Sequence, residues 1–316
     1  MKLVAAFLRL IRWPNLVFIV LTQFLFFYSV IDPKLKPPVY TFFEFKYLIW
    51  LVVASVLIAA AGYIINDYFD MNIDSINKPG RLVIDKIIKR RWAIVLHILM
   101  SGIGVLISFY ISFEFHYWWL GFANLLCTFL LFGYSITLKR KLLIGNILIS
   151  GLTAWVIMVV FFCYIGSFVS VSVFTPLHFP PFSNSLTRIA MLYSGFAFII
   201  SLIREVIKDM EDIEGDTRFG CKTMPIVWGI PASKVFAGVW IIVLIVVLGV
   251  VQFYVLRFDW WWSAAYCLVL IVAPLLWILF KLYKAQVPKD YRVLSAAVKL
   301  VMFTGIMSML FFKIYS

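Results

Sequence analysis

The sequence predicts an all-α, polytopic membrane protein, a bundle of nine transmembrane helices with Asp-rich cytoplasmic loops in a single domain over residues 1–316. Three observations carry this. The chain is 64% hydrophobic and only 14% charged, with a mean hydropathy of +1.01, where a soluble domain carries about 25% charged residues. Nine apolar stretches approach the roughly 20 residues that a helix needs to cross a bilayer. The basic residues gather in alternate connectors between those stretches.

The first stretch, 14–32, follows Lys2, Arg9 and Arg12. A basic start before an apolar run can mark a cleaved signal peptide, but this run is long for one and no small-residue cleavage site follows, so it is read as a retained span. The second, 47–66, ends at Asn66-Asp67. The third and fourth cover 92–112 and 116–134, the latter opening on Tyr117-Trp118-Trp119, which suits an interfacial aromatic belt. The fifth covers 143–165 and stays apolar to Val173; an uncharged, proline-rich connector from Thr175 to Ser185 follows. The sixth, 187–205, runs into the most acidic part of the chain. The last three cover 235–256, 260–280 (opening on Trp260-Trp261-Trp262) and 293–313, where Lys299 lies near an end and can snorkel.

With the N-terminus placed in the cytoplasm, 22 Lys and Arg fall on inside segments and 6 on outside ones. This positive-inside bias fits nine spans with the C-terminus outside. It also accounts for the net charge of +13 without nucleic acid, because short basic loops suit anionic headgroups. The bilayer is the expected partner, and no obligate protein partner is implied. No organelle transit peptide stands out, so the expected location is a prokaryotic plasma membrane. Cys127, Cys163, Cys221 and Cys267 lack CxxC spacing and the three histidines lie far apart, which gives little support to a zinc or haem site.

Nine of the fifteen Asp and Glu residues lie in two stretches, Asn66–Asp74 and Glu205–Asp216. Both contain Asp-x-x-Asp-x-x-x-Asp: Asp67, Asp70 and Asp74, then Asp209, Asp212 and Asp216. On a helix these offsets fall within one stripe, so like charges stack and repel. A solvated helix end needs no such stack, and carboxylates at membrane level are costly. At a helix C-terminus they also oppose the dipole. Hard oxygen ligands with spare positions suit magnesium shared with a phosphate. Asn66, Asp67, Asp70, Asp74, Asp209, Asp212 and Asp216 are therefore the candidate metal ligands. Glu211 and Glu214 are read as solvated residues pairing with Lys208 or Arg218, and Gly215 as the point where the helix ends or bends. The cations Arg81, Lys139, Arg140, Lys141 and Arg218 each suit positive-inside topology alone. Beside six aspartates they suggest a diphosphate site.

The pattern Asn66-Asp67-x-x-Asp70-x-x-x-Asp74, with a second Asp-rich motif four spans later, resembles the UbiA superfamily of intramembrane prenyltransferases. Arg12-Trp13-Pro14-Asn15 and Asn77-Lys78-Pro79-Gly80-Arg81 add to the likeness, though Leu82 stands where the family usually has a second proline. The resemblance implies that Mg2+ held by the two motifs binds a prenyl diphosphate and stabilises the leaving group. It implies that the allylic cation then meets a lipophilic acceptor in a cavity that excludes water. It matches Asp70, Asp74, Asp212 and Asp216 to the catalytic carboxylates, and Asn66, Arg81, Lys139, Arg140 and Arg218 to the diphosphate. The second motif looks most like that of enzymes joining geranylgeranyl to the sn-2 hydroxyl of geranylgeranylglycerol phosphate. Aromatic or tetrapyrrole acceptors, as in quinone, tocopherol, chlorophyll and haem pathways, remain the alternative. Acidic residues among apolar spans also fit a divalent-cation transporter, although transporters usually hold such residues near the bilayer midplane.

Overall fold

A computed structural model describes residues 2–34, 45–77, 83–172 and 184–315. The elements are α1 (Lys2–Leu10), α2 (Trp13–Leu25, continued by π-helical turns over Phe26–Ile31), α3 (Phe45–Asn77), α4 (Arg90–Glu114), α5 (Trp119–Ile136), α6 (Ile144–Ser172) and α7 (Asn184–Glu211). They continue with α8 (Ile213–Arg218), α9 (Met224–Val227), α10 (Gly229–Val255), α11 (Trp261–Cys267), α12 (Ala273–Lys284), α13 (Pro288–Met307) and α14 (Leu310–Ile314). Among the described residues the only β feature is an isolated bridge between Ile84 and Ile88. Nine helical segments there are long and apolar enough to cross a membrane, and each overlaps one of the nine stretches read from the sequence. Arg81 and most of the Thr175–Ser185 connector lie outside the described residues.

The chain divides into two compact units. The first comprises the described residues within 1–27, 35–139 and 155–191. Its N-terminal helix α1 was not anticipated as a separate element. It buries Ala6 and Leu10 against Ala60, Ile64, Ile84 and Ala93. The chain turns at Arg12, whose φ of 52° breaks the helix, and restarts with Pro14 in the first turn of α2. Helix α3 has 33 residues, so it is about 50 Å long against a hydrocarbon core of about 30 Å. Its C-terminal turns, which carry Asn66–Asp74, therefore extend beyond the apolar run. The first Asp-rich segment, whose spacing was read as a stripe on a helix end, is helical throughout.

Small residues let α3 and α4 approach closely, because a Cβ on Gly104 would stand 2.8 Å from Ile58 and 3.1 Å from the Ala54 carbonyl. Several polar groups inside this unit bond to one another, as an apolar solvent favours. Gln23 donates to Ser55 Oγ at 2.9 Å and to the Val156 carbonyl at 3.2 Å. Asn124 donates to Ser108 Oγ at 2.9 Å and accepts from the Trp155 indole at 3.0 Å.

The second unit comprises the described residues within 28–34, 140–154 and 192–316. Its core includes Ile203, Val206, Ile207, Ile241, Leu275 and Val298. Here α7 and α13 run antiparallel. Tyr193 Oη lies 2.9 Å from Ser308 Oγ, Phe196 packs on Gly305, and Arg292 Nε donates to Glu211 at 2.8 Å. A π-helical turn over Leu268–Val272 precedes Pro274. Proline has no N–H for the carbonyl four residues back, and Thr304 Oγ1 donates to that Leu270 carbonyl at 2.9 Å instead.

Candidate active site

In the first unit, helical spacing sets Asn66, Asp70 and Asp74 on one face of α3. Asn66 Nδ2 donates to Asp70 Oδ2 at 2.9 Å, and Lys139, in the turn after α5, donates to Asp70 Oδ1. Both groups of the Lys139–Asp70 pair are largely buried, with 9% and 14% of their side chains exposed. A carboxylate offers about four lone-pair directions, so both oxygens retain acceptor capacity after these two bonds. The amide of Asn66 is oriented by its bond to Asp70, which leaves its buried Oδ1 with no hydrogen-bond partner.

Asp67 is one step round the helix and meets a different cation. Arg12 Nη2 donates to Asp67 Oδ1 at 2.7 Å, and its guanidinium lies 5.1 Å from the Tyr63 ring centroid. Burial works against the Arg12 cation, but Asp67, Tyr63 and Asp74 outweigh it and hold its pKa above the ordinary guanidinium value. The sequence offered Arg12 only as part of a motif, and nothing in the spacing identified Asp67 as its partner.

In the second unit, Asp209 sits on the last turn of α7. Asn146, near the start of α6, donates to Asp209 Oδ2 at 2.8 Å. Each Asp-rich segment thus has one aspartate oriented by an asparagine amide. Asn146 was missed by sequence reasoning, although an asparagine just inside an apolar span is a signal that could have found it. The break in this segment falls at Asp212 (φ −94°, ψ 7°), between α7 and α8. Gly215, expected at the bend, is buried inside α8, and the chain turns instead at Gly220 with φ 67°.

The flanking charges partly follow expectation. Glu214 pairs with Arg218 at 2.7 Å, both side chains more than half exposed. Glu211 pairs with Arg292 from α13, and Lys208 with Glu205. Arg140 is exposed, and its carbonyl accepts from the Lys222 backbone at 2.8 Å, which ties the turn before α6 to the loop after α8. Arg81 lies outside the described residues.

Among the described residues no group of three or more His, Cys, Asp or Glu side chains is gathered to hold a metal ion. The donor chemistry nevertheless fits magnesium. This ion usually takes one or two carboxylates plus water and substrate phosphate rather than a complete protein cage. The donors are all oxygen, and the unpartnered Asn66 Oδ1 is one more beside Asp70.

Comparison with known proteins agrees with this frame. The chain is 34% identical to a digeranylgeranylglyceryl phosphate synthase from Thermococcus sibiricus over 198 residues, which is 63% of this chain and 60% of that one. It is 31% identical to another from Sulfolobus acidocaldarius over 75% of this chain and 74% of the relative. The match to the first of these relatives thus spans less than two thirds of its length. A UbiA homolog from Archaeoglobus fulgidus, solved bound to GPP and Mg2+, has the same fold, with a TM-score of 0.58 at 15% identity over 96% of this chain and 99% of that one. Residues 38–306, a range that runs through both units, match the UbiA prenyltransferase family. The chain belongs to the UbiA prenyltransferase family, a family of multi-pass integral membrane proteins.

Proposed function

We propose that this protein is a magnesium-dependent prenyltransferase that moves geranylgeranyl from its diphosphate to the sn-2 hydroxyl of geranylgeranylglycerol phosphate. In that reaction the carbon–oxygen bond to diphosphate breaks, an ether bond forms at the hydroxyl, and the hydroxyl proton is released. The family membership and the similarity to two digeranylgeranylglyceryl phosphate synthases support the reading. So does the UbiA homolog bound to GPP and Mg2+. The observation that carries it is Asp70, a largely buried carboxylate held by Asn66 and Lys139 beside an unsatisfied amide oxygen.

In this reading Asn66, Asp70, Asp74, Asp209, Asp212 and Asp216 are the oxygen ligands. Bound magnesium supplies Lewis-acid stabilisation of the charge that develops on the departing diphosphate. Lys139 keeps Asp70 oriented and shares its charge with a phosphate oxygen, and Arg140 and Arg218 are surface cations suited to phosphate oxygens. Asn146 holds Asp209 in one orientation. Asp67, occupied by Arg12, docks the N-terminal helix. The apolar helices keep water from the allylic carbon. The membrane is a prokaryotic plasma membrane, with the N-terminus cytoplasmic and the C-terminus outside, as the basic-residue bias supports.

The test offers purified protein several prenyl diphosphates and acceptors and identifies products by mass spectrometry. A phosphate-bearing diether product supports the reading. An aromatic or tetrapyrrole product reassigns the acceptor, and metal uptake into liposomes without any prenyl product overturns the enzyme. Single-cysteine labelling from each side of the membrane tests the orientation, and a C-terminal cysteine that labels only from the cytoplasm contradicts it.

A further inference from the structure

Span six carries a cationic group that the aspartate chemistry does not use. Arg204 Nη1 donates to Glu205 Oε1 at 3.0 Å, and Lys208 Nζ donates to Glu205 Oε2 at 3.0 Å. One carboxylate therefore serves two cations. Arg204 Nε is buried and has no hydrogen-bond partner. A third cation comes from α13. The contacts Tyr193–Ser308, Phe196–Gly305 and Glu211–Arg292 fix the antiparallel register of α7 and α13. That register sets Lys299 level with Arg204, and their charges act on each other. Two cations thus share Glu205, and a third lies level with Arg204, within spans that are otherwise apolar, where unbalanced charge is costly and usually functional.

We infer that Arg204, Lys208 and Lys299 form a second anion subsite, which takes the phosphate monoester of the acceptor directly, without a metal. The inference rests on the proposed function and adds the means by which the acceptor is selected. A phosphate monoester offers several strong acceptor oxygens, matching the Arg204 fork and two ammonium groups. The diphosphate is the other source of such oxygens. It is assigned to the aspartates, which repel it unless a metal intervenes, whereas at Glu205 two cations share one carboxylate. Arg204 precedes Asp209 by five residues, about 7–8 Å along the helix axis. The phosphate of a glycerol phosphate lies only a few atoms from its free hydroxyl. Lys208 is the residue next to Asp209, so a headgroup held by Arg204 and Lys208 together presents that hydroxyl toward a prenyl carbon carried at Asp209.

The experiment compares wild type with Arg204→Gln, Lys208→Gln, Lys299→Met and the conservative Arg204→Lys, all as full-length purified protein. KM is measured for geranylgeranyl diphosphate, for geranylgeranylglycerol phosphate and for the corresponding phosphate-free alcohol. Losing one charge-assisted contact is expected to raise the KM of the phosphate acceptor about ten- to a hundredfold. The diphosphate KM stays unchanged, the preference for phosphate over alcohol collapses, and Arg204→Lys recovers part of the loss. An equal rise in diphosphate KM, or an intact preference, overturns the subsite. Because Arg204→Gln can fail to fold, the less buried Lys208→Gln is measured beside it. If wild type makes no product from this acceptor, the proposed function fails by itself. The subsite is then decided by thermal shift: geranylgeranylglycerol phosphate should raise the melting temperature of wild type but not of Lys208→Gln, and equal shifts overturn it.

Discussion

Lys139 donates to the carboxylate of Asp70, 69 positions earlier in the chain. The lysine follows the fourth span and the aspartate lies beyond the apolar part of the second, so the pair fixes a cation against the first Asp-rich segment. An aspartate held in this way is oriented before any ligand arrives. It also has a neighbour that can pass positive charge to a phosphate oxygen. Lys139→Ala is expected to raise the KM for prenyl diphosphate by about tenfold or more and to leave the acceptor KM unchanged in steady-state kinetics with each substrate varied. Equal changes in both would remove Lys139 from the diphosphate.

The aspartates should not be equivalent. Asp70→Asn and Asp212→Asn are expected to cut turnover by about a hundredfold or more, as the loss of a group stabilising the transition state does. Asp67→Asn should leave most activity in place, because Asp67 is occupied by Arg12. That pair is partly exposed, so a double-mutant cycle with Arg12→Gln should give a coupling in melting experiments of no more than about 1 kcal/mol. A collapse of activity in Asp67→Asn alone would return Asp67 to the metal ligands.

Asn146 acts through Asp209 rather than on substrate. Asn146→Leu removes the amide that orients the carboxylate. The magnesium concentration for half-maximal rate should rise about ten- to a hundredfold, with kcat at saturating magnesium much less affected. A magnesium titration that matches wild type would show that the amide has no part in metal binding.

Packing predictions are independent of the chemistry. A Cβ on Gly305 would stand 2.4 Å from the Phe196 ring, so Gly305→Ala forces the two helices apart or the ring out of place. It should cost about 1–3 kcal/mol of stability in thermal or denaturant unfolding. Gly102, where an added Cβ would meet nothing within 4 Å, is the control and should tolerate alanine.

Much of the fold was legible because hydrophobic length is a strong signal in a membrane protein: each of the nine apolar stretches has its helix. The Asp spacing was legible too, since offsets of three and four residues mean one helix face. What the sequence hid was local backbone geometry. How far α3 runs past its apolar part is one example, since hydropathy ends at Asn66 while the helix continues to Asn77. Gly215 drew the bend by its residue type, but that glycine is buried inside α8 and the break falls at Asp212. The π-helical turns at Phe26–Ile31 and Leu268–Val272 leave no periodic trace of their own. Pairings across long separations, Arg12 with Asp67 and Asn146 with Asp209, depend on which helices meet, and spacing along one helix says nothing of that.

The central claim is that the aspartates work through magnesium on a prenyl diphosphate. The most direct measurement incubates purified protein with labelled geranylgeranyl diphosphate and geranylgeranylglycerol phosphate, first in EDTA and then with magnesium restored, and follows the diether phosphate by mass spectrometry. The account predicts no product in chelator and full recovery with magnesium, with Asp70→Asn silent in both. Product that forms equally well in EDTA, or in Asp70→Asn, would contradict it.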